Sequence, residues 1–372
     1  FAAARAGLRK TAKVAQGVDL SLEPLLCEDS ESYRALMEET YLEEYLEGIA
    51  DFSFDTNAFP LTQAMAAGIL GAHGPARSAA ESGAGLELEP CLDMVMQHGS
   101  ALADLAHGVE ACMAKLGCDE VFVRLSSRSP KDAVLFLPSF GESLRAAEAA
   151  AGDDGDDSGD GGGKTNRRLV AMYEASTEAM AGSCGRDAVR LLVLSSRILD
   201  DLRTYVERGE AAKPMSVFVR RFTRFPLELE LRGFVRNSQL TALTQYNPLV
   251  YFPRLAANVA AVEDVVADFT RKFIASGAVG LDSFVVDLIV TLPDFEPSRD
   301  RAGLFDAPER WEVLVCEINP LAEFAGDGLF SWVTDRDVLL GNAPFEFRVV
   351  TAATHAQSPA SLLPEWAKWF NV

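Results

Sequence analysis

Apolar positions change their spacing along the chain, and those changes mark out its elements. Residues 31–49 (ESYRALMEETYLEEYLEGI) carry aromatic and leucine side chains at helical spacing and predict an acidic amphipathic helix. Residues 51–90 are rich in Ala, Gly and Pro and give no periodic signal. The helical pattern returns from Leu92 to Leu116 and stops at Gly117, the residue type that closes helices in the left-handed conformation. A strand is then expected over 120–125 (EVFVRL), a helix over 166–182, a strand over 189–194 (VRLLVL) and a helix over 197–208.

After residue 210 the period shortens. MSVFVRRF, LELELRGFV and QLTALTQY predict three strands, with Asn237-Ser238 as a tight turn between the last two. A helix is expected over 253–276, and strands over 284–292 (FVVDLIVTL), 312–318 (EVLVCEI) and 345–350 (FEFRVV). The final SLLPEWAKWFNV reads as a short amphipathic stretch docked on the body. No internal repeat is evident. The expected class is α+β, with a largely antiparallel sheet after residue 210.

One segment breaks the periodic pattern. Residues 150–164 (AAGDDGDDSGDGGGK) are acidic and glycine-rich, and they cannot bury enough apolar area to offset their ordering entropy. A disordered loop is expected there. GDGGGKT imitates a phosphate-binding P-loop, but Ser158 stands where that motif needs glycine, and no strand precedes it. A calcium loop starting at Asp154 would need Glu at its twelfth position, where Thr165 stands.

Composition narrows the partners. The 372 residues suffice for two lobes, expected over 91–212 and 213–372, behind an N-terminal extension of 1–90. Lys and Arg total 34 against 55 Asp and Glu, a formal charge of −21 that argues against nucleic acid as a partner and suits a basic protein partner or simple solubility. No apolar run approaches the roughly 20 residues of a membrane span. The six cysteines form no CxxC pair and the four histidines no zinc spacing, so free thiols in a reducing, cytoplasmic compartment are expected. The opening FAAARAGLRKTAKVAQ lacks Met and an apolar core, and reads as a fragment start. An amphipathic transit sequence built on Arg5, Arg9, Lys10 and Lys13 is the alternative.

Within this frame Asp287 is the odd residue. It sits at the centre of Phe-Val-Val-Asp-Leu-Ile-Val, a strand buried on both faces, where an ionised carboxylate costs several kcal/mol unless a cation meets it. A sheet arginine such as Arg232 or Arg220 would serve. So would a metal, because Glu317 and Asn319 on the next strand lie two apart and share one face. Asp287, Glu317 and Asn319 together form a hard-oxygen set suited to Mg²⁺, which completes its shell with water and phosphate oxygens. Arg220, Arg221 and Arg232 would supply the opposing charge for a polyphosphate, or pair with Glu228 and Glu230. The segment from Arg124 to Asp132 places hydroxyls and cations just after a strand, as a phosphate-facing loop or an exposed turn would.

Four blocks resemble the cell division cycle protein 123 family: VFVRLSSRSPKDA (121–133), LELRGFVRNSQLTALTQYN (229–247), FVVDLIV (284–290) and VLVCEINPLAEFAGDGLFSW (313–332). They follow in the family's order and spacing. The resemblance implies an ATP-grasp-like fold of two lobes with largely antiparallel sheets clasping ATP–Mg²⁺. It also implies a monomeric assembly chaperone that binds the gamma subunit of translation initiation factor 2 and promotes joining of the heterotrimer. A catalytic ATP-grasp ligase is the alternative, although no acceptor-binding residues stand out. By position, the resemblance makes Asp287, Glu317 and Asn319 the magnesium ligands. It makes Arg124, Ser126, Ser129 and Asp132 a phosphate-side loop, Phe218 and Val219 the hinge facing adenine, and Arg232 a phosphate contact. Glu317 stands where better-known members carry Asp, Arg124 where they carry Lys, and Tyr246-Asn247 where they carry Arg-Asp.

Overall fold

The computed structural model describes residues 30–81, 88–97, 99–137, 139–150, 162–353 and 369. Two compact units divide the chain. One comprises the described residues up to Ser53 together with Glu228–Pro248 and Phe252–Thr351; the other comprises Phe54–Leu227, Leu249–Tyr251 and the described residues from Ala352 onward.

The second of these units carries a three-stranded antiparallel sheet of β1 (Thr56–Pro60), β2 (Val121–Leu125) and β3 (Ser216–Arg221), with β3 in the centre. Helix Ala101–Leu116 begins at Ser100, whose hydroxyl accepts from the Ala103 amide at 3.1 Å, and ends at Gly117 with φ 59°. The expected single helix from Leu92 is therefore two, Leu88–Val95 and Ala101–Leu116, separated by the turn through Gly99 and the Ser100 cap. The unread stretch after residue 51 supplies β1 and helix Gln63–Glu81.

The strand expected at 189–194 is instead the second half of helix Gly185–Leu194. A short apolar run does not separate a buried strand from a buried helix by periodicity. Here the helix start decides: Asp187 accepts from the Ser183 amide at 3.0 Å and from its hydroxyl at 2.9 Å. Gly185 also matters, because a Cβ there would lie 2.2 Å from the Ala106 carbonyl oxygen of the neighbouring helix. Helix Gly162–Glu178 begins inside the segment expected to be a loop, so that 162–164 are helical; residues 151–161 lie outside the described residues. Of the C-terminal stretch only Trp369 is described. Its ring meets Phe140 edge-on at 4.9 Å and its carbonyl accepts from Arg168 at 2.6 Å; the rest of the stretch expected to dock lies outside the described residues.

The other unit is built on a five-stranded sheet in the order β7–β6–β4–β5–β8. Its strands are β4 (Glu230–Arg236), β5 (Gln239–Gln245), β6 (Phe284–Thr291), β7 (Glu312–Pro320) and β8 (Glu346–Arg348). All pairs are antiparallel except β5 with β8. The turn between β4 and β5 places Asn237 and Ser238 at φ 50° and 59°, as the primed two-residue hairpin turn requires. The strand at 216–221, grouped by sequence with those that follow it, belongs to the three-stranded sheet. The helix expected over 253–276 is interrupted at Asn258 into Pro253–Ala257 and Val259–Ala275. At the N-terminal end, the single helix expected over 31–49 is two shorter ones, Ser30–Glu39 and Leu42–Tyr45.

Between β5 and helix Pro253–Ala257 the chain passes through Leu249–Tyr251, which groups with the other unit. Asn166 clamps it: its amide donates to the Tyr251 carbonyl at 2.9 Å and accepts from the Tyr251 N–H at 2.7 Å. A part-buried backbone donor and acceptor are thereby both satisfied by one buried side chain. Asn166→Ala should lower the unfolding free energy by roughly 1–3 kcal/mol, the cost of stranding such groups, measured as a shift of the urea midpoint at unchanged slope.

Candidate functional site

Four neighbouring strands bring polar residues abreast. Arg232 of β4 stands opposite Asp287 of β6, and Asp287 opposite Glu317 of β7; Thr244 of β5 extends the row beyond Arg232. Residues paired across strands project to the same face, so these four side chains share one. Every residue of β6 is buried, and Asp287 is 2% exposed.

Glu317 reaches this row because of a bulge. In a regular strand Val315 and Glu317 would share a face. The register slips between Asp287 and Leu288, so that Val315 opposes Leu288 while Glu317 opposes Asp287, and Cys316 is the extra residue. The slip turns Glu317 over to the face of Asp287, the re-aiming that bulges accomplish. Asn319, two residues further along, stands opposite Val285 and keeps the same face.

Arg232 organises the row. Its Nε and Nη2 donate to Asp287 Oδ1 and Oδ2 at 2.7 and 2.8 Å, a two-pronged pair. Its Nη1 donates to the carbonyls of Ala325 and Gly326. The Tyr246 ring lies 5.1 Å from the guanidinium carbon. Burial alone would lower the Arg232 pKa, but the charge and hydrogen bonds of Asp287, with Tyr246 and Glu317, hold it far above its ordinary value. The guanidinium is permanently charged. Asn319 Nδ2 donates weakly to Asp287 Oδ2 at 3.4 Å.

For Asp287 the sequence left open a sheet arginine or a metal, and the arrangement present is the ion pair with Arg232. Among the described residues, no group of three or more His, Cys, Asp and Glu side chains gathers to hold a metal ion. The donor chemistry nevertheless fits a shared cation. The row sets two carboxylates and an amide against one guanidinium, a protein set that Mg²⁺ completes with water and phosphate oxygens. Turning the Asn319 amide about its last bond presents Oδ1 in place of Nδ2.

Arg220 and Arg221 do not join the row's strands; both lie on β3. Arg221 pairs with Asp55 at 3.1 Å and donates to the Leu116 carbonyl at 2.8 Å, while Glu228 pairs with Arg254. The remaining expected residues belong to the same unit as β3. Arg124, 3% exposed, stands opposite Phe218 and donates from Nε to the Leu125 carbonyl at 3.1 Å. The Ser126 hydroxyl accepts from the Ser216 amide at 2.7 Å, and Ser129 is buried. Asp132 accepts from the Ser195 hydroxyl at 2.5 Å and from the Ser196 and Arg197 amides at 2.7 and 3.3 Å, which shapes the entry to helix Leu199–Arg208. Phe218 and Val219 are buried in the central strand, with register partners on both sides. Their main-chain groups lie inside the ladder, where they hold the sheet together.

Sequence reasoning missed Thr244, Tyr246 as a cushion for Arg232, and the loop that crosses the row. The signal for that loop was Ala-Gly-Asp-Gly at 325–328. Gly326 and Gly328 have φ of 83° and 61°. A Cβ on Gly326 would lie 2.8 Å from Arg232 Nη1, and one on Gly328 would lie 2.5 Å from Thr244 Cγ2. Only glycine lets this backbone lie so close to the row.

Two largely antiparallel sheets, one of them carrying a charged row among mostly apolar buried positions, define an α+β protein. The D123 family profile matches residues 171–365, more than half of the chain, and the chain belongs to that family. Its fold is that of Cdc123 from Schizosaccharomyces pombe, with a TM-score of 0.53 at 14% identity over 85% of this chain and 97% of that one. The C-terminally truncated form of Cdc123 from Schizosaccharomyces pombe matches with the same values, a TM-score of 0.53 and 14% identity over 85% and 97% of the two chains. No curated protein sequence matches.

Arg232→Ala should lower the unfolding free energy by roughly 3–5 kcal/mol, because it leaves the buried Asp287 carboxylate unpaired. Arg232→Met combined with Asp287→Leu should recover most of that loss in urea denaturation, since an apolar pair strands no charge.

Proposed function

We propose that the chain is an ATP–Mg²⁺-binding assembly factor that engages the gamma subunit of translation initiation factor 2 in the cytoplasm and promotes joining of the heterotrimer. The observation that carries the reading is the row Arg232–Asp287–Glu317, with Asn319 beside it, which crosses three strands of a sheet whose buried positions are mostly apolar. Membership of the D123 family and the fold shared with Cdc123 support it. The net charge of −21 suits a basic protein surface, which opposite charge would steer into contact.

Asp287, Glu317 and Asn319 would hold the cation, which when bound neutralises charge on the nucleotide phosphates. Arg232 shares their row, and its fork suits phosphate oxygens as well as it suits the carboxylate it now holds. Its second set of bonds, to the Ala325 and Gly326 carbonyls, keeps the guanidinium over the row whichever anion it meets. The parts assigned by resemblance to Arg124, Ser126, Ser129, Asp132, Phe218 and Val219 rest on the family alone.

Calorimetry of the chain with ATP should show binding that depends on Mg²⁺, and Asp287→Asn should weaken it at least tenfold, about 1.4 kcal/mol. The same variant should recover less of the gamma subunit in a pull-down performed with ATP. Absence of heat and of any thermal shift with ATP and Mg²⁺ would remove the nucleotide site. Turnover of ATP to ADP with a small carboxylate, without gamma-subunit binding, would replace the assembly role with a ligase.

A further inference from the structure

The row depends on a bulge in β7, and among the described residues β7 is an edge strand of its sheet. An edge strand has one hydrogen-bonding side without a neighbouring strand, and a bulged edge has the weakest hold on its register. In this protein that side is met by the segment that precedes the first sheet. The Tyr45 hydroxyl oxygen accepts from the Ile318 N–H at 3.1 Å, and the Ser53 hydroxyl donates to the Val315 carbonyl at 2.6 Å. These two bonds bracket Cys316 and Glu317, the bulge itself. Ile318 is the residue between Glu317 and Asn319.

The segment is itself firmly seated. Tyr45 is 2% exposed. Gly48 packs so closely on Ala278 that a Cβ would lie 1.9 Å from its carbonyl oxygen. Phe52 meets Phe269 and Phe273 of helix Val259–Ala275 edge-on at 6.0 and 5.3 Å. Tyr33 meets Phe324, in the loop that follows β7, at 4.7 Å. Residues 33–53 thus hold β7 at two main-chain points and the following loop at a third.

We infer that Tyr45, assisted by Ser53, is a positioning residue for Glu317 and Asn319: it fixes the main chain between them and so sets the reach of both oxygens toward a shared cation. This rests on the nucleotide–magnesium reading of the row and deepens it. Neither hydroxyl touches the cation. Each holds the strand that does, as partners behind metal ligands commonly do.

The test uses the full chain, Tyr45→Phe and Ser53→Ala, with ATP titrated in Mg²⁺ and again in EDTA. Amide exchange at Ile318 is followed by mass spectrometry. Tyr45→Phe keeps the ring and its packing, so exchange in β6 should match the native chain while Ile318 exchanges faster. ATP affinity in Mg²⁺ should fall roughly tenfold in Tyr45→Phe, and less in Ser53→Ala, while any affinity in EDTA stays unchanged. A loss of equal size in both media would show a general structural effect and overturn the positioning role. Unchanged affinity in Mg²⁺, with native binding intact, would overturn it while leaving the nucleotide reading standing. If the native chain shows no Mg²⁺-dependent binding, the reading of the row fails, and the positioning role falls with it.

Discussion

The ion pair between Arg232 and Asp287 is the constraint on which the candidate site depends. A carboxylate in a strand buried from end to end requires a cation, and the fork of Arg232 meets both of its oxygens. The same guanidinium reaches beyond the sheet to the carbonyls of Ala325 and Gly326, so the pair also seats the loop after β7. Removing either partner would strand the other and loosen that loop. One interaction therefore links the register of β4 and β6, the path of the glycine loop and the charge presented by the row.

Two carboxylates and an amide share this row with one guanidinium, and among the described residues they do not complete a cation cage by themselves. Such a set suits a cation that arrives with its own phosphate oxygens. The bulge at Cys316 is what makes the set possible, because it turns Glu317 onto the face of Asp287. The N-terminal residues around Tyr45 and Ser53, which by sequence had no evident task, hold that bulge from its open side.

Much of the second half of the chain was legible. The alternation after residue 210, the Asn237-Ser238 turn and the wholly apolar run around Asp287 all correspond to observed elements. Asp287 stood out because a lone carboxylate in such a run demands an explanation. Elements whose signals are ambiguous were less readable. VRLLVL is helical within a longer helix whose entry Asp187 ties to Ser183 and whose Gly185 admits a neighbouring helix, neither of which periodicity registers. The hydroxyl of Ser126 and the carboxylate of Asp132 looked available for a ligand. They also meet Ser216 and residues 195–197, contacts that the sequence did not announce.

By itself the sequence determined which strands are buried, where the hairpin turns, and that Asp287 needs a positive partner. Local patterning and the cost of burying charge are properties of the chain and require no neighbours to be known. The tertiary structure decided which cation that partner is, since only strand order sets β4 beside β6. It also decided that Glu317 faces the same way, since a bulge appears only in register with a partner strand. And it decided that Tyr45, 273 residues distant in sequence from Ile318, closes the open edge. Contacts between residues so far apart are set by packing, which no short window of sequence contains.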